Sequence, residues 1–431
     1  MSETVDRRDF LIAGSALATT LAIQSKMYAA DSQTIKVGLI GCGGRGTGAI
    51  RNVLDADKNV EIAGLCDLFE TKVKGTFTGI KNKYKERVTA TPETCFHGLD
   101  GFKKLVSMSG VDYVILATPP GYRPMHLEAA VEAGKNIFTE KPVAVDVAGT
   151  RKVLDLVKKS QEKGLKIAAG TQRRHQAGYI ETIKQMKDGL IGDITSGRVY
   201  WNGTTPWFNA RPKDMKDAHY QFYNWYHYVW LCGDHICEQH VHNLDVANWA
   251  MGANPIKATG MGGRSNRPVG DSKNVGNIFD HFAIEYEYPN GAIVQSYCRQ
   301  IDGCVNNVSE EFVGTKGRVR TSPGNYFFNG KELVGGGGET DPYVQEHIDL
   351  IKAIRDNKPL NELENVANST FTAILGRMAA YSGKALKWDE ALRGAKWFED
   401  TFPKNLTSLE QDLPAEPVPV VGRWVPKAPG A

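Results

Sequence analysis

Short apolar runs that stop at glycine, proline or an acidic residue recur through the first third of the chain. Ile35-Lys-Val-Gly-Leu-Ile40 runs into Gly41, and Val60-Glu-Ile-Ala-Gly-Leu-Cys-Asp67 ends on a carboxylate. Val111-Asp-Tyr-Val-Ile-Leu-Ala117 stops at Thr118-Pro119-Pro120, and Lys135-Asn-Ile-Phe-Thr139 precedes Glu140. Runs of this length, apolar on both faces, read as buried parallel strands. Helical spacing separates them, after Gly46 through Leu54 and from Pro124 to Ala133. Strands alternating with helices predict a doubly wound α/β sheet. The pattern persists briefly, with a helix over Gly149–Lys163, a strand over Lys166–Ala169 and a helix over Tyr179–Gly189.

The period then changes. Ile194–Trp201, His281–Tyr288, Ala292–Ile301, Glu311–Val313 and Arg318–Arg320 read as antiparallel strands, and Asn290-Gly291 marks a hairpin turn between two of them. A helix is expected over His235–Ala250, and two more over 342–356 and 364–384, closing this domain or reaching back to the first. The fold class is therefore a doubly wound α/β domain followed by an α+β domain with a large open, mostly antiparallel sheet. The expected limits are a leader over 1–30, the α/β domain over 31–148, the α+β domain over 149–405, and a Pro-rich tail over 406–431 that wraps as extended chain.

Length alone, 431 residues, would suggest about three domains. The leader and tail use up the excess and leave two. A net charge of +3 without any Lys/Arg run excludes a general nucleic-acid footprint. The seven cysteines are odd in number and form no C-x-x-C, against a zinc ribbon or a thioredoxin-type pair. At the N-terminus, Arg7-Arg8 precede an apolar stretch, Phe10 to Ile23, and then Ala29-Ala30. The stretch is short for a membrane span of about 20 residues. It resembles a twin-arginine export signal, which predicts a periplasmic protein handled by that machinery. Tyr28 stands where a small residue is wanted before cleavage, so a retained leader acting as an anchor stays open.

The chemistry starts at the first turn. Gly41-x-Gly43-Gly44-Arg45-Gly46 follows a predicted strand and opens a predicted helix, the context in which a G-x-G-x-x-G pattern seats a pyrophosphate on backbone N–H groups. Asp67, 26 residues after Gly41 at the end of the second strand, suits a ribose 2′-hydroxyl and would repel a 2′-phosphate. NAD is the expected cofactor, and Arg45 keeps NADP open. Thr118-Pro119 and Glu140-Lys141-Pro142 lie at the carboxyl ends of further strands, where ligands of open parallel sheets bind.

These motifs, with His126, resemble those of the Gfo/Idh/MocA oxidoreductase family. The resemblance implies that Lys141 lies by the nicotinamide and the substrate hydroxyl, that the substrate is a sugar, glycoside or polyol, and that the protein forms a homo-oligomer, a dimer or tetramer. The family's second motif, Asp-x-Gly-x-His-x-x-Asp, is matched by Glu238-Gln-His240-Val-His242-Asn-Leu-Asp245, with Glu for the first Asp and His for the Gly. His242 is the candidate general base or acid. Glu238, four residues earlier on the same helix face, would orient it or contact hydroxyls.

His235, Glu238, His240 and His242 also raise a metal site. On one regular helix His235 and His240 lie about 140° apart, and His235 and His242 about 10.5 Å apart along the axis, a poor grip for an ion. No metal is expected. Arg173 and Arg174 follow a strand end and, with Asp245, are candidate substrate contacts. Trp201, Trp207, Trp225, Tyr226 and Trp230 suit the stacking of sugar rings, and 203–228 reads as a long functional loop. The sequence thus points to an exported NAD(P)-dependent oxidoreductase on CH–OH groups with tightly held cofactor. An NAD-dependent glycosidase working by transient oxidation and elimination, and a non-catalytic sugar-binding protein, are the alternatives.

Overall fold

In the computed structural model, which describes residues 33–334, 340–419 and 426–429, the first sheet has six parallel strands. These are β1 (Ile35–Ile40), β2 (Val60–Asp67), β3 (Cys95–His97), β4 (Tyr113–Leu116), β5 (Asn136–Thr139) and β6 (Ile167–Ala169), in the order β3-β2-β1-β4-β5-β6. The order reverses at β1, so the cleft beyond the carboxyl ends of β1 and β4 is the topological switch point where ligands of such sheets bind. Helices cover both faces, which is why β1 and β4 are apolar along nearly their whole length. The helix Gly44–Ala56 lays Ala49, Ile50, Val53 and Leu54 on the sheet, a helical stripe. β6 pairs with β5, so this sheet extends past the limit expected at 148.

The second sheet has nine strands: β7 (Ile194–Gly203), β8 (Lys257–Gly263), β9 (His281–Glu287), β10 (Ile293–Gln300), β11 (Asn307–Gly314), β12 (Gly317–Ser322), β13 (Asn325–Phe328), β14 (Lys331–Val334) and β15 (Leu386–Lys387). Their order is β14-β13-β12-β11-β7-β10-β9-β8-β15, and only the β7–β10 pair is parallel. The hairpin between β9 and β10 turns at Asn290-Gly291, with Gly291 at φ +82°. One face is buried in strict alternation, as by Phe282, Ile284 and Tyr286 of β9, and the helix Leu363–Ser382 packs on it.

The two late helices do both of the things expected of them. Pro342–Arg355 reaches back to pack on Gly44–Ala56, and Leu363–Ser382 bridges Val147–Glu162 of the first layer and β8 of the second sheet. Arg377 lies at this junction, fully buried. Its Nη1 donates to the carbonyls of Val145 (2.7 Å) and Gly233 (3.0 Å), and its Nη2 pairs with Glu399.

The segment 204–232 leaves the second sheet as an aromatic insert. It is irregular to residue 216, then forms short helices at Asp217–Tyr223 and Val229–Cys232. The described residues 406–419 are irregular and run along this insert. Ala218 N donates to Gln411 O (3.1 Å), and the Gln221 amide donates to the Leu413 carbonyl. The expected leader lies outside the described residues.

Candidate active site

The turn after β1 is shaped by what its glycines exclude. Gly41 sits at φ +107°, and a Cβ there would lie 2.6 Å from the Ala117 carbonyl carbon. A Cβ on Gly46 would lie 1.8 Å from the Gly41 oxygen, so Gly46 lets the helix start directly beneath the turn. Gly43 and Gly44 instead face open space, a cradle that side chains would fill. Asp67 locks the cradle from β2: its carboxylate accepts from Cys42 N (2.7 Å) and Phe69 N (2.9 Å). The cleft so formed has a volume of about 420 Å³ and is lined by Gly41, Gly43, Gly44, Arg45, Asp67, Thr118, Pro119 and His126, all of them expected there. Backbone N–H groups at a helix start, a glycine cradle and a carboxylate at the next strand end fit a dinucleotide.

His126 serves this cleft as a neutral support. Burial, with Arg123 nearby, pushes its pKa down to about 3, and Nδ1 meets Thr118 Oγ1 at 3.1 Å. Sequence reading missed much of the apolar wall. Phe69, Phe102, Tyr122 and Phe222 line the cleft beside Trp207 and Trp225. Phe69, two residues beyond Asp67, was within reach of a strand-end argument; Phe222 is brought in only by the insert.

A second, polar cavity of about 250 Å³ adjoins the first, sharing Arg45, Ala117, Thr118 and Trp225 with it. Lys141, Glu140, Glu238 and His242 all line it. Lys141 Nζ donates to Glu238 O (2.6 Å) and lies 3.3 Å from Glu238 Oε1. Burial raises the Glu238 carboxyl pKa against the pull of Lys141, and its Oε2 is buried without a hydrogen bond among the described residues. His242 stacks on Trp201, with centroids 5.6 Å apart and planes 23° apart. Burial first, then the charges of Lys141, Arg173 and Arg45, push its pKa well below the usual histidine value, so it rests neutral.

The expected continuous helix over His235–Ala250 is broken. A single turn, His235–Glu238, is followed by Val241–Met251. Gly233 (φ +77°) and Asp234 (φ +73°) set the entry, and the buried Asp234 carboxylate accepts from His235 N (2.6 Å) and Phe279 N (2.8 Å). Glu238 and His242 therefore line the same cavity from either side of a break in the helix. His240, at the break, turns into the core, where Nε2 meets Ser296 Oγ at 2.8 Å. Among the described residues no group of three or more His, Cys, Asp or Glu side chains is placed to hold a metal ion.

Three expected substrate contacts lie elsewhere. Arg174 grips Asp245 through Nε and Nη2 at 2.8–3.0 Å, and Asp245 also accepts from Ser369 Oγ (2.7 Å). Arg173 pairs with Glu310 in the core. None of the three lines either cavity, because charges this deeply buried need each other as partners. Arg45 is also committed: its guanidinium reaches Glu140, Glu346 (3.0 Å) and Asn52 (3.1 Å) and lies 4.9 Å above the Tyr343 ring. Arg123 and Tyr343 line the polar cavity without having been foreseen.

Comparison with known proteins places this geometry. Residues 35–167 match the model of an oxidoreductase family with an NAD-binding Rossmann fold, and residues 179–320 match the GFO/IDH/MocA C-terminal domain. The chain is 30% identical over 226 residues to 2,7-anhydro-N-acetylneuraminate hydratase of Escherichia coli, covering 50% of this chain and 53% of that protein. It is 24% identical over 220 residues to inositol 2-dehydrogenase of Salmonella typhimurium, covering 51% and 55%. It thus spans about half the length of the curated relatives it matches. A levoglucosan dehydrogenase solved with NADH and levoglucosan shares the fold at TM-score 0.64 and 16% identity, over 82% of this chain and 99% of that one. With an NAD-binding Rossmann domain and the matching C-terminal domain both present, the chain belongs to the Gfo/Idh/MocA oxidoreductase family.

Proposed function

We propose that the protein is an NAD-dependent oxidoreductase acting on a hydroxyl-bearing carbon of a sugar or polyol. The observation that carries this is the convergence of Lys141, Glu238 and His242 on a small polar cavity adjoining the dinucleotide cleft. Bound NAD supplies the hydride acceptor. The chain supplies the rest. The Lys141 ammonium donates to the substrate oxygen and stabilises the charge that builds as its proton leaves. The neutral His242 imidazole accepts that proton, and in the reverse direction returns it. Glu238 holds Lys141 in place through its carbonyl and carboxylate. Arg45, already bound to two carboxylates, is not free to meet a 2′-phosphate, which favours NAD over NADP.

The test is a panel of sugars and polyols followed by nicotinamide absorbance, with Lys141→Met and His242→Asn as controls. Turnover that survives both variants would defeat the assignment; sugar binding that survives without turnover in the native protein would support a binding function instead. One observation favours a second reading. A carboxyl whose pKa burial raises, Glu238, sits beside a base, an arrangement that can protonate a leaving group after transient oxidation, as in glycoside cleavage. Release of sugar from an aryl glycoside without net NADH distinguishes it.

Export through the twin-arginine route is proposed on Arg7-Arg8 and the apolar run that follows. Outside the cytoplasm no free nicotinamide pool is expected, so the cofactor would be held tightly and recycled by a second substrate. Denaturing purified protein and finding no nicotinamide released would remove that part.

A further inference from the structure

The aromatic insert places one side chain, Trp225, in the walls of both cavities. We propose that Trp225 is the specificity-determining substrate contact: its indole forms the platform on which one apolar face of a cyclic substrate lies, making the preferred substrate a single sugar or cyclitol ring and not an acyclic polyol. The proposal rests on the function given above and deepens it.

Besides Trp225, the cavity's remaining apolar side chains, Ala117 and Pro120, are small, and its large side chains are mostly hydrogen-bonding or charged, above all Lys141, Glu238 and His242. These suit the hydroxyl-bearing edge of a ring and leave its C–H face unmatched. The other aromatic groups nearby are already engaged. Arg45 lies over the Tyr343 ring at 4.9 Å, and His242 is stacked on Trp201. Trp225 is half-buried, and its two ring neighbours meet it at angles, Trp207 at 61° and Tyr226 at 58°, so neither lies flat on the indole. A cavity of about 250 Å³ is also below the roughly 300–1,000 Å³ of pockets for drug-sized ligands, which limits the occupant to one small ring.

Trp225 is held rigidly, as a platform must be. On one side of it, buried Asn224 exchanges two hydrogen bonds with the Asn209 backbone: Oδ1 accepts from Asn209 N (3.0 Å) and Nδ2 donates to Asn209 O (2.8 Å). On the other side, buried His227 donates from Nε2 to Trp207 O (2.7 Å). Burial takes the His227 pKa down to about 4, so this contact does not titrate near neutrality. All three hydrogen bonds tie the irregular stretch before residue 216 to the turn that carries the indole.

The test uses the full chain with its bound dinucleotide and Trp225→Leu, Trp225→Phe and the native protein. The probes are a pyranose, a cyclitol and an open-chain hexitol, read by steady-state kinetics and by calorimetric binding. For the ring compounds Trp225→Leu should raise KM and Kd roughly tenfold with kcat within about threefold, whereas Trp225→Phe, keeping a π-face, should stay within about threefold of native. Hexitol binding should be unchanged, and because Trp225 also lines the dinucleotide cleft, ring binding is compared at equal, measured dinucleotide content. Unchanged ring affinity in a folded Trp225→Leu protein overturns the proposal, and so does loss of dinucleotide in its place. If the native protein binds rings without oxidising them and Trp225→Leu weakens that binding, the platform stands and the dehydrogenase reading falls.

Discussion

Removing the Asp67 carboxylate tests the dinucleotide cleft most directly. Its two oxygens each accept one backbone N–H, from Cys42 and Phe69, which leaves each with further acceptor capacity, and Asp67 lines the cleft. A ribose hydroxyl bonded to a carboxylate is worth about 1.5–3 kcal/mol. At about 1.4 kcal/mol per tenfold, Asp67→Ala should weaken NAD by roughly 10- to 100-fold. For a 2′-phosphate the sign reverses. Two unit charges about 4 Å apart repel by about 4 kcal/mol at an effective dielectric of 20, so losing the carboxylate should narrow the NAD-to-NADP preference by at least an order of magnitude. The same change strands the N–H of buried Cys42, which costs the apoprotein about 1–3 kcal/mol and should lower its melting temperature. The assay is calorimetric titration of cofactor-free protein with both dinucleotides at one fixed ionic strength, since the repulsion is screened by salt. A folded Asp67→Ala protein that binds NAD within twofold of native would refute the placement of the ribose at Asp67.

Two neighbouring glycines should separate folding from binding: Gly43→Ala fills open cradle and should weaken NAD at unchanged apoprotein melting temperature, whereas Gly46→Ala meets the Gly41 oxygen and should lower both, as melting curves with and without NAD will show. Because His242 rests neutral through burial and the nearby Lys141, activity should persist below pH 6.5 and fall only as acid protonates the imidazole; an acid limb at or above pH 7 would contradict that role. His175 behaves oppositely. Burial opposes its charge, but hydrogen bonds to Asp349 and Glu362 carry its pKa up to about 10, so its stabilisation is present below about pH 6.5 and is lost as pH rises towards 10. His175→Asn should flatten stability against pH across that window in denaturant titrations. Finally, Glu399→Ala leaves the Arg377 guanidinium buried without its carboxylate, at a cost of about 3–5 kcal/mol, and a fall in melting temperature on the order of 10 °C is expected by calorimetry.

Five strands of the first sheet were readable because they are apolar on both faces and punctuated by glycine, proline or an acidic residue, whereas β3, three residues long and not buried, gives no such signal. β8 was not readable either, since Lys257-Ala-Thr-Gly-Met-Gly-Gly263 looks like loop. Its glycines are needed where the backbone passes close to β9: a Cβ on Gly260 would lie 2.4 Å from Ile284 Cδ1. Lys141 and the Gly41–Gly46 turn could be found because strand ends fix where they lie. Glu238 and His242 were paired on one continuous helix, whereas the chain breaks between Glu238 and Val241 and both residues still line the polar cavity. Arg174 and Asp245 looked like substrate contacts because the choice between a ligand and another side chain is made by tertiary packing, and local sequence carries no mark of it. Tyr343 reaches the cavity on a helix some 200 residues beyond Lys141, a proximity that no spacing rule contains.

The tail running along the aromatic insert has a bearing on how the site is assembled during synthesis. The glycine turn and Asp67 emerge early, but the insert that walls the cleft is bonded by Gln411 and Leu413, made more than 300 residues later. A nascent chain can form its first sheet and still lack a finished cleft. A chain clipped before residue 411 would lose both of these bonds to the insert, and with them part of what holds the aromatic wall of the cleft.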